Sequence, residues 1–509
     1  MARRRPSRKQ VKEKRKARKK SFRDLRESRK AQGLQVPVSL SQSNGKSEYQ
    51  SVEEEQAARQ DQTVEQLRVL RATLPMLLKR LSEIDDFRNP KKIKHRMTVL
   101  MIYGILMFVF QMTSRREANQ KMTRPMFMKN LRLFFPDLDD LPHHDTLNRL
   151  LDGIGAEVNE IENALCDLLA QLIRKKKFRR YLIENRYPIA FDGTQKLVRE
   201  DLLSPEWLER RVGKDKDGNG HTQYYVSVLE ANLVFNNGMV IPLMSEFLDY
   251  GKGDTSNDKQ DCETRAFYRL ANRLKRRFPR LPILVLLDGL YANGPIMEFC
   301  ERKNWDFMIV LKDESLPSVW EEFEGLKSLQ LEKQINQTWG DRRQSFRWVS
   351  DIEYSFGPNG HKRLTVHVVV CDESWEDLDE NNKPVTKRSR HAWMSNRPLT
   401  RKNIHERCNL GARHRWGIES GILVEKRHGY SYEHCFSFSW DAMRGYHYLM
   451  RIGHAINVLV QFTSVLFKTV RRMGLRRFIE FVRETLAGPW LDTEEVRKRL
   501  QAPYQLRLE

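Results

Sequence analysis

The sequence predicts a mixed α/β protein in which a sheet-containing core lies between helical regions. Three observations predict this class. Apolar residues recur at helical spacing between about residues 62 and 180, short buried strands alternate with amphipathic helices after Tyr187, and helices return after residue 400. Strand-like segments between residues 316 and 399 interrupt the alternation, so we expect a β-rich insertion within the core.

The chain is strongly basic. Its 509 residues include 90 Lys and Arg against 67 Asp and Glu, for a formal net charge of +23. Such an excess favours a polyanionic partner, of which nucleic acid is the commonest, and we expect no membrane partner. The six cysteines contain no C-x-x-C pair, which argues against a zinc site and is typical of reduced thiols in the cytoplasm.

Residues 1–60 are predicted to be a basic tail followed by a polar linker. Residues 1 to about 35 are rich in Arg and Lys, including KEKRKARKK, and offer few apolar groups to bury. We expect this tail to be disordered when free and to lie on phosphate when DNA is present. A solvated tail or an RNA-binding extension is the alternative. Residues 36–60 are rich in Ser, Gln and Glu, as linkers are.

Residues 61–185 are predicted to form a helical DNA-binding domain. Leu67, Leu70 and Leu74 belong to one apolar stripe at helical spacing, and Pro75 within it predicts a kink or a break. The apolar run 97–112 is about sixteen residues long, short of the roughly 20 that cross a bilayer. A buried helix is therefore expected there, with a membrane segment as the alternative.

Two adjacent histidines precede the next predicted helix. Asp145 or Thr146 is a plausible N-cap for it. His143, His144 and Asp145 also raise the possibility of a metal site. Adjacent side chains on a capping loop are expected to diverge, so a cap or an ordinary surface position is favoured.

The first part of the core is predicted over residues 186–315. YPIAFDGT is a short apolar strand, and TQYYVSVLEANLVF and MVIPLMSEFLDY form a hairpin through Asn236-Asn237-Gly238. DKQDCETRAFYRLANRLKRRF is an amphipathic helix, whose Asp258, Asp261 and Glu263 we interpret as first-turn charges. The strands LPILVLLD and WDFMIVLKD flank a further helix. The predicted order is β-β-β-α-β-α-β.

Three regions complete the predicted organisation. The β-rich insertion covers residues 316–399. The second part of the core covers residues 400–465 and contains the helix RHRWGIESGILVEK, followed by a long, mostly apolar helix. Residues 466–509 form a C-terminal helical region.

Two aspartates occupy similar places in the predicted core, each at the end of a buried strand. They are Asp192 after IAF and Asp288 after LVLL. Burying an unpaired charge is costly, so such carboxylates rarely serve packing alone. If the two strands are neighbours, both carboxylates face one crevice and can share Mg²⁺, which prefers oxygen ligands. The alternative is that each aspartate caps the following turn.

A third carboxylate is expected on a later helix. Glu419 has Arg415 four residues before it and Lys426 seven residues after it, so all three share one helical face. That face offers one metal ligand and two cations suited to phosphate oxygens. The alternative is an ordinary ion pair between Arg415 and Glu419.

At these residues the chain resembles the DDE transposases of bacterial insertion sequences, and more narrowly the cut-and-paste group with the Y-R-E-K signature. The resemblance spans about residues 186 to 465 and includes YYVSVLEA, DGLYANGP and RHRWGIE. Arg415, Glu419 and Lys426 match the R-x3-E-x6-K part of the signature. Its Tyr should lie three residues before Arg415, where this chain has Ala412.

The resemblance implies an RNase H-like catalytic core and a transposition activity. Asp192, Asp288 and Glu419 would hold two Mg²⁺ ions, for which Mn²⁺ would substitute, and Arg415 and Lys426 would contact DNA. It also implies a homodimer that holds two transposon ends and a target duplex. Two rival interpretations remain. One is an RNase H-like nuclease without strand transfer, and the other is an inactive, basic DNA-binding relic of a transposable element.

Overall fold

Helices occupy both ends of the chain and all the strands that the structure describes lie between residues 187 and 395, so the protein is mixed α/β as predicted. The computed structural model describes residues 7–35, 47–136, 138, 140–213, 220–253 and 260–509. Within them the chain divides into two units. The first unit is Met1–Ser41 with Leu284–Ala412, and the second is Gln42–Ile283 with Arg413–Glu509. The regions expected from the sequence do not coincide with these two units, and their boundaries stay a prediction.

The first helix of the second unit is α2 (Val52–Leu81). Ser51 caps it by accepting a hydrogen bond from the Glu54 amide at 3.2 Å, and three glutamates follow in its first turn. The predicted leucine stripe is its buried face. The helix continues through Pro75, so the predicted break does not occur. It also begins inside the stretch expected to be a linker, because that stretch supplies the cap and the acidic first turn.

The apolar run 97–112 forms a buried helix, α3 (Met97–Val109), as predicted. It packs against the long helix α12 (Trp440–Gln461), which was also predicted. Close approach requires Gly453 on α12, because a β-carbon there would overlap the Phe108 side chain. None of the helices in the described residues is long and apolar enough to cross a membrane.

The other helices of the second unit surround this pair. Five of them were predicted at nearly these positions, namely α6, α8, α11, α14 and α15. The full set is α4 (Arg115–Met122), α5 (Pro125–Phe134), α6 (His144–Gly153), α7 (Val158–Arg174), α8 (Glu263–Arg277), α11 (Trp416–Arg427), α13 (Phe467–Met473), α14 (Leu475–Ala487) and α15 (Thr493–Gln501).

Four antiparallel strands form the sheet of the second unit. They are β1 (Tyr187–Arg199), β2 (Leu208–Val212), β3 (His221–Val234) and β4 (Val240–Phe247). β3 pairs β1 along one edge, and it pairs first β2 and then β4 along the other. The predicted hairpin joins β3 to β4, with Gly238 at φ +86° in its turn. Strand β2 was not predicted.

The first unit contains six neighbouring strands of mixed direction, in the order β5-β6-β10-β9-β8-β7. β5 and β6 are parallel and are linked through helix α9, whereas the other neighbours are antiparallel. The β-rich segment predicted at 316–399 supplies β7 to β10, together with a helix that was not predicted, α10. The elements are β5 (Ile283–Leu287), α9 (Gly294–Arg302), β6 (Asp306–Val310), α10 (Pro317–Lys327), β7 (Gln334–Trp339), β8 (Arg342–Phe356), β9 (Lys362–Leu378) and β10 (Pro384–Ser395).

The basic N-terminal segment also differs from the expectation. Residues Arg8–Ala31 form a helix, α1, in the first unit. Ser7 and Gln10 form a capping box at its start, in which each side chain accepts a hydrogen bond from the other residue's backbone. Its C-terminal half packs on β9 through Leu25 and Arg29. These two contacts with β9 hold the helix in place, although the segment has few apolar side chains to bury.

Candidate active site

Asp192 lies in the middle of strand β1, which corrects the prediction that it ends a strand. The strand continues to Arg199 because its second half also pairs with β3, after a bulge at Lys196. Residues 187–191 are buried, whereas Asp192 is half-buried. Asp192 therefore begins a half-buried stretch, residues 192–195, between two buried parts of β1. It does not cap a turn, so that alternative is also wrong for this residue.

Asp192 belongs to a row of polar side chains across the second unit's sheet. It lies directly opposite Glu230 on β3, and Glu230 lies opposite Ser245 on β4. Residues opposite one another in antiparallel strands point to the same face. The Ser245 hydroxyl donates to Glu230 at 2.6 Å, which agrees with that register. The Asp192 side chain thus points to the face that Glu230 occupies.

Helix α11 covers this same face and carries the third predicted carboxylate. Gly421 on α11 approaches Val240 and Asn232, and Asn232 lies two residues from Glu230 on β3. At the far end of α11, the Lys426 ammonium donates to the Gln195 carbonyl of β1 at 3.0 Å. Glu419 lies two turns before Lys426 on the same helical face, and its side chain is 42% exposed. Both predicted carboxylates of the second unit therefore lie on elements packed together.

Arg415 has a buried guanidinium with unused donors. It bonds Glu419 at 2.8 Å, which is the ion pair that the sequence offered as the alternative. Its Nε and Nη1 are buried and lack a partner in the described part of the chain. Leaving charged donors unsatisfied is costly, so the position suits an anionic ligand. The neighbouring Trp416 ring is 59% exposed, with the guanidinium carbon 5.2 Å from its centre.

Lys426 is engaged more fully than Arg415. Besides the Gln195 carbonyl, it pairs with Glu433 at 3.0 Å, and its side chain is 20% exposed. Its contact with DNA stays a prediction, because a phosphate would compete with Glu433 for the ammonium. Ala412, where the signature Tyr was expected, is buried.

A fully buried ionic network joins α11, which carries Glu419, to α12 and to β3, the neighbour of the strand that carries Asp192. Arg451 on α12 reaches Glu425 on α11 at 3.1 Å and Glu230 on β3 at 3.2 Å. His447 lies 3.3 Å from Glu230, and His454 lies 2.7 Å from Glu425. The sequence analysis missed these residues. The available signal was a charged residue at an inward position of an apolar strand or helix.

Burial and ion pairing shift the pKa values of the carboxyl groups in this network in opposite directions. Burial alone would raise the pKa of Glu230, but the Arg451 guanidinium and His447 hold that pKa well below its ordinary value. The pKa of Glu425 is lowered in the same way by Arg451 and His454, against the effect of burial. Burial lowers the pKa of Lys196, which donates to the Tyr432 carbonyl at 2.8 Å, to about 8. Glu230 and Glu425 are thus ionised at neutral pH.

Replacing Glu230 by Gln is expected to make the free energy of unfolding fall less steeply as the pH is lowered into the acidic range. A carboxyl whose pKa is lowered by folding stabilises the protein above its unfolded value of 4.5 and loses that contribution as the pH falls below it. The wild type should therefore lose up to about 1.4 kcal/mol per pH unit more than Glu230→Gln below pH 4.5. Urea unfolding between pH 3 and 7 measures this difference. Glu494→Gln, at an 84% exposed position, is the control, and parallel wild-type and Glu230→Gln curves would contradict the prediction.

Asp288 belongs to the first unit and follows β5 directly, as predicted. It is the N-cap of a short turn, Gly289–Tyr291, and its Oδ1 accepts a hydrogen bond from the Leu290 amide at 2.9 Å. The capping alternative is thus observed for this residue. The cap uses one carboxylate oxygen, which leaves the other for a metal ligand. Its pairing with Asp192 and Glu419 stays a prediction.

Glu263 places a carboxylate beside β1, on the face of the strand opposite the Asp192 side chain, because successive side chains of a strand point to opposite faces. It is in the first turn of α8, as predicted. Its carboxyl group lies against Gly193, where even a β-carbon would overlap it. Gly193 is therefore required for close approach. Asp261, just before α8 begins, forms an ion pair with Arg269 of that helix. Asp258 lies outside the described residues.

The two histidines before α6 converge, contrary to the prediction that they diverge. The rings of His143 and His144 are 4.2 Å apart. With Asp145 they form the one group of three possible metal ligands found within 4.8 Å among the described residues. His143 is the N-cap and accepts a hydrogen bond from the Asp145 amide at 3.3 Å, which confirms a capping role for this pair. The N-cap predicted at Asp145 or Thr146 is wrong, because both residues lie inside the helix. Arg115 lies 3.6 Å from Asp145 and opposes a cation there.

Comparison with known families assigns part of the helical region. Residues 78–169, from the end of α2 to most of α7, match the family model described as DDE_Tnp_1-associated. This domain is found in DDE-type transposases, so the match supports a transposase family and a transposase-related function. No curated protein matches the chain.

Proposed function

We propose that this protein is a DNA transposase of the DDE class that cuts transposon ends and joins them to target DNA. The observation that carries the proposal is the match of residues 78–169 to a transposase-associated domain. The three predicted carboxylates add to it. Two of them, Asp192 and Glu419, are on packed elements of one unit, and the third follows a buried strand of the other.

The donor set fits Mg²⁺ or Mn²⁺. Asp192, Asp288 and Glu419 offer carboxylate oxygens, which hard divalent cations prefer. Glu419 gives one oxygen to Arg415, and Asp288 gives one to the Leu290 amide, so each retains a second oxygen. Two bound cations would supply charge stabilisation for the phosphoryl transfer.

The protein's own residues would hold the DNA for that transfer. The unpartnered Nε and Nη1 donors of Arg415 suit phosphate oxygens, and Lys426 adds a second cation on the same helical face. The exposed Trp416 ring offers a surface on which a base can stack. The nucleophile is water in the cutting step and a DNA 3′-hydroxyl in the joining step. A homodimer on an RNase H-like core would hold the two ends together.

Cleavage of a labelled duplex that carries the element's own ends tests the proposal. We expect cutting at the ends with Mg²⁺, none in EDTA, and none on a duplex with shuffled ends. A supercoiled target plasmid is added to detect joined products. Binding without cutting in Mg²⁺ would leave a DNA-binding relic, and cutting without joined products would favour a nuclease.

A further inference from the structure

We propose that α1 and one face of the insertion sheet together bind the backbone of a DNA duplex. The inference rests on the proposed function only for the identity of the polyanion. It uses residues of the first unit alone.

The helix α1 is an arm with a large excess of positive charge. It carries thirteen Arg and Lys residues against three acids over 24 residues. All its residues from 8 to 20 are exposed. A helix of this length spans about 36 Å, close to one turn of B-DNA. A helix that is polar all round gains little from packing, so a polyanion is the partner that would stabilise it.

The arm is anchored to the sheet rather than free. Leu25 is 5% exposed on β9. Arg29 pairs with Asp341 at 3.3 Å, and its guanidinium also donates to the Glu376 carbonyl. Arg343 on β8 donates to Gln32 at 2.6 Å. These contacts fix the end of the arm beside the sheet.

The sheet presents three arginines on the face next to that anchor. In the strand register, Arg343 and Arg388 both lie opposite Ser374, and Arg390 lies opposite Asp372. All three arginines are exposed, and none forms an ion pair with a residue that the structure describes. They line a groove of about 830 Å³ with polar neighbours, and Asp372 is the exposed acid among them.

Charge complementarity selects a polyanion as the occupant, and the proposed function identifies that polyanion as DNA. Three arginines against one exposed acid, continued by an arm with thirteen cations and three acids, form a predominantly cationic surface that suits a row of phosphates. Guanidinium groups also bind phosphate through paired hydrogen bonds. Exposed polar faces are usually only solvated. The unneutralised charge on two adjoining elements distinguishes this surface from such a face.

Salt-dependent binding of a 30-base-pair duplex tests the inference. Fluorescence anisotropy is measured in EDTA, so that cutting does not interfere. The variants are a sheet triple (Arg343→Gln, Arg388→Gln, Arg390→Gln), an arm triple (Lys12→Gln, Lys16→Gln, Lys20→Gln) and both together. Each triple should make the slope of log Kd against log salt shallower by about 2 to 3, since each lost phosphate contact removes about 0.9.

A matched control separates this effect from a loss of net charge. The control triple, Lys468→Gln, Arg497→Gln and Lys498→Gln, removes three exposed cations from the second unit. A sheet triple with the control's slope would overturn the inference. Duplex RNA that displaces the probe at lower concentration than duplex DNA would also overturn it. Cutting of transposon ends is measured separately in Mg²⁺, so failure of the proposed function is distinguishable from failure of this surface.

Discussion

Glu419→Gln is expected to abolish cutting of transposon ends while leaving DNA binding within about twofold of the wild type. The amide keeps the size of the side chain and can still accept from Arg415, but it removes a charged metal ligand. Loss of several kcal/mol of transition-state stabilisation corresponds to about a thousandfold or more in rate. The position is 42% exposed, so the free energy of unfolding should change by less than about 0.5 kcal/mol.

Single-turnover cleavage with Mg²⁺, together with anisotropy in EDTA, measures the two effects separately. Glu494→Gln, an exposed glutamate on α15, is the matched control and should cut at the wild-type rate. Asp192→Asn and Asp288→Asn should lose cutting to the same extent as Glu419→Gln. If Glu419→Gln cuts normally, the contact between Arg415 and Glu419 is an ordinary ion pair, and another carboxylate must complete the site.

Local patterns in the sequence predicted much of the fold. The buried helix 97–112, the hairpin at Asn236-Asn237-Gly238 and the long helix in the second part of the core each depend on spacing or turn chemistry within one segment. Segments whose structure depends on distant partners were predicted less well. Strand β2 is largely exposed and exists by pairing β3, and α1 is held by contacts with residues more than 300 positions away.

The same distinction explains the errors at the candidate site. Asp192 was expected to end a strand because Gly193 and Thr194 follow it, but pairing with β3 carries β1 on to Arg199. The capping role of Asp288 is local, and the sequence offered it as an alternative. Glu230 and Glu425 could be recognised as charged residues in apolar segments. Their shared partner, Arg451, is more than twenty residues away from either and could not be identified by spacing.

The second large expected effect concerns Arg451, the shared partner of Glu230 and Glu425. Replacing Arg451 by Met should lower the free energy of unfolding by about 3 to 5 kcal/mol. Removing one member of a buried ion pair leaves an uncompensated charge, which costs more than the pair contributes. Here the single substitution leaves two fully buried carboxylates, Glu230 and Glu425, without their arginine partner. Each keeps a histidine neighbour, which limits the loss. Urea unfolding at pH 7 measures it.

Two further variants show whether charge is the cause. Arg497→Met, which breaks an ion pair at a 60% exposed position, should change stability by less than about 1 kcal/mol. The triple variant Arg451→Met, Glu230→Gln, Glu425→Gln should regain part of the loss, because no stranded carboxylate remains. A triple variant less stable than Arg451→Met would mean that the methionine fails to pack and that charge is not the main cost.

The network also has a consequence for cutting. Glu425 holds α11 to α12, and Glu419 lies less than two turns earlier on that helix. Arg451→Met should therefore reduce cutting even at temperatures where the variant is fully folded. The triple variant, which lacks the arginine and both carboxylates, should regain more of its stability than of its cutting activity. Equal recovery of both would mean that the network stabilises the unit without positioning Glu419.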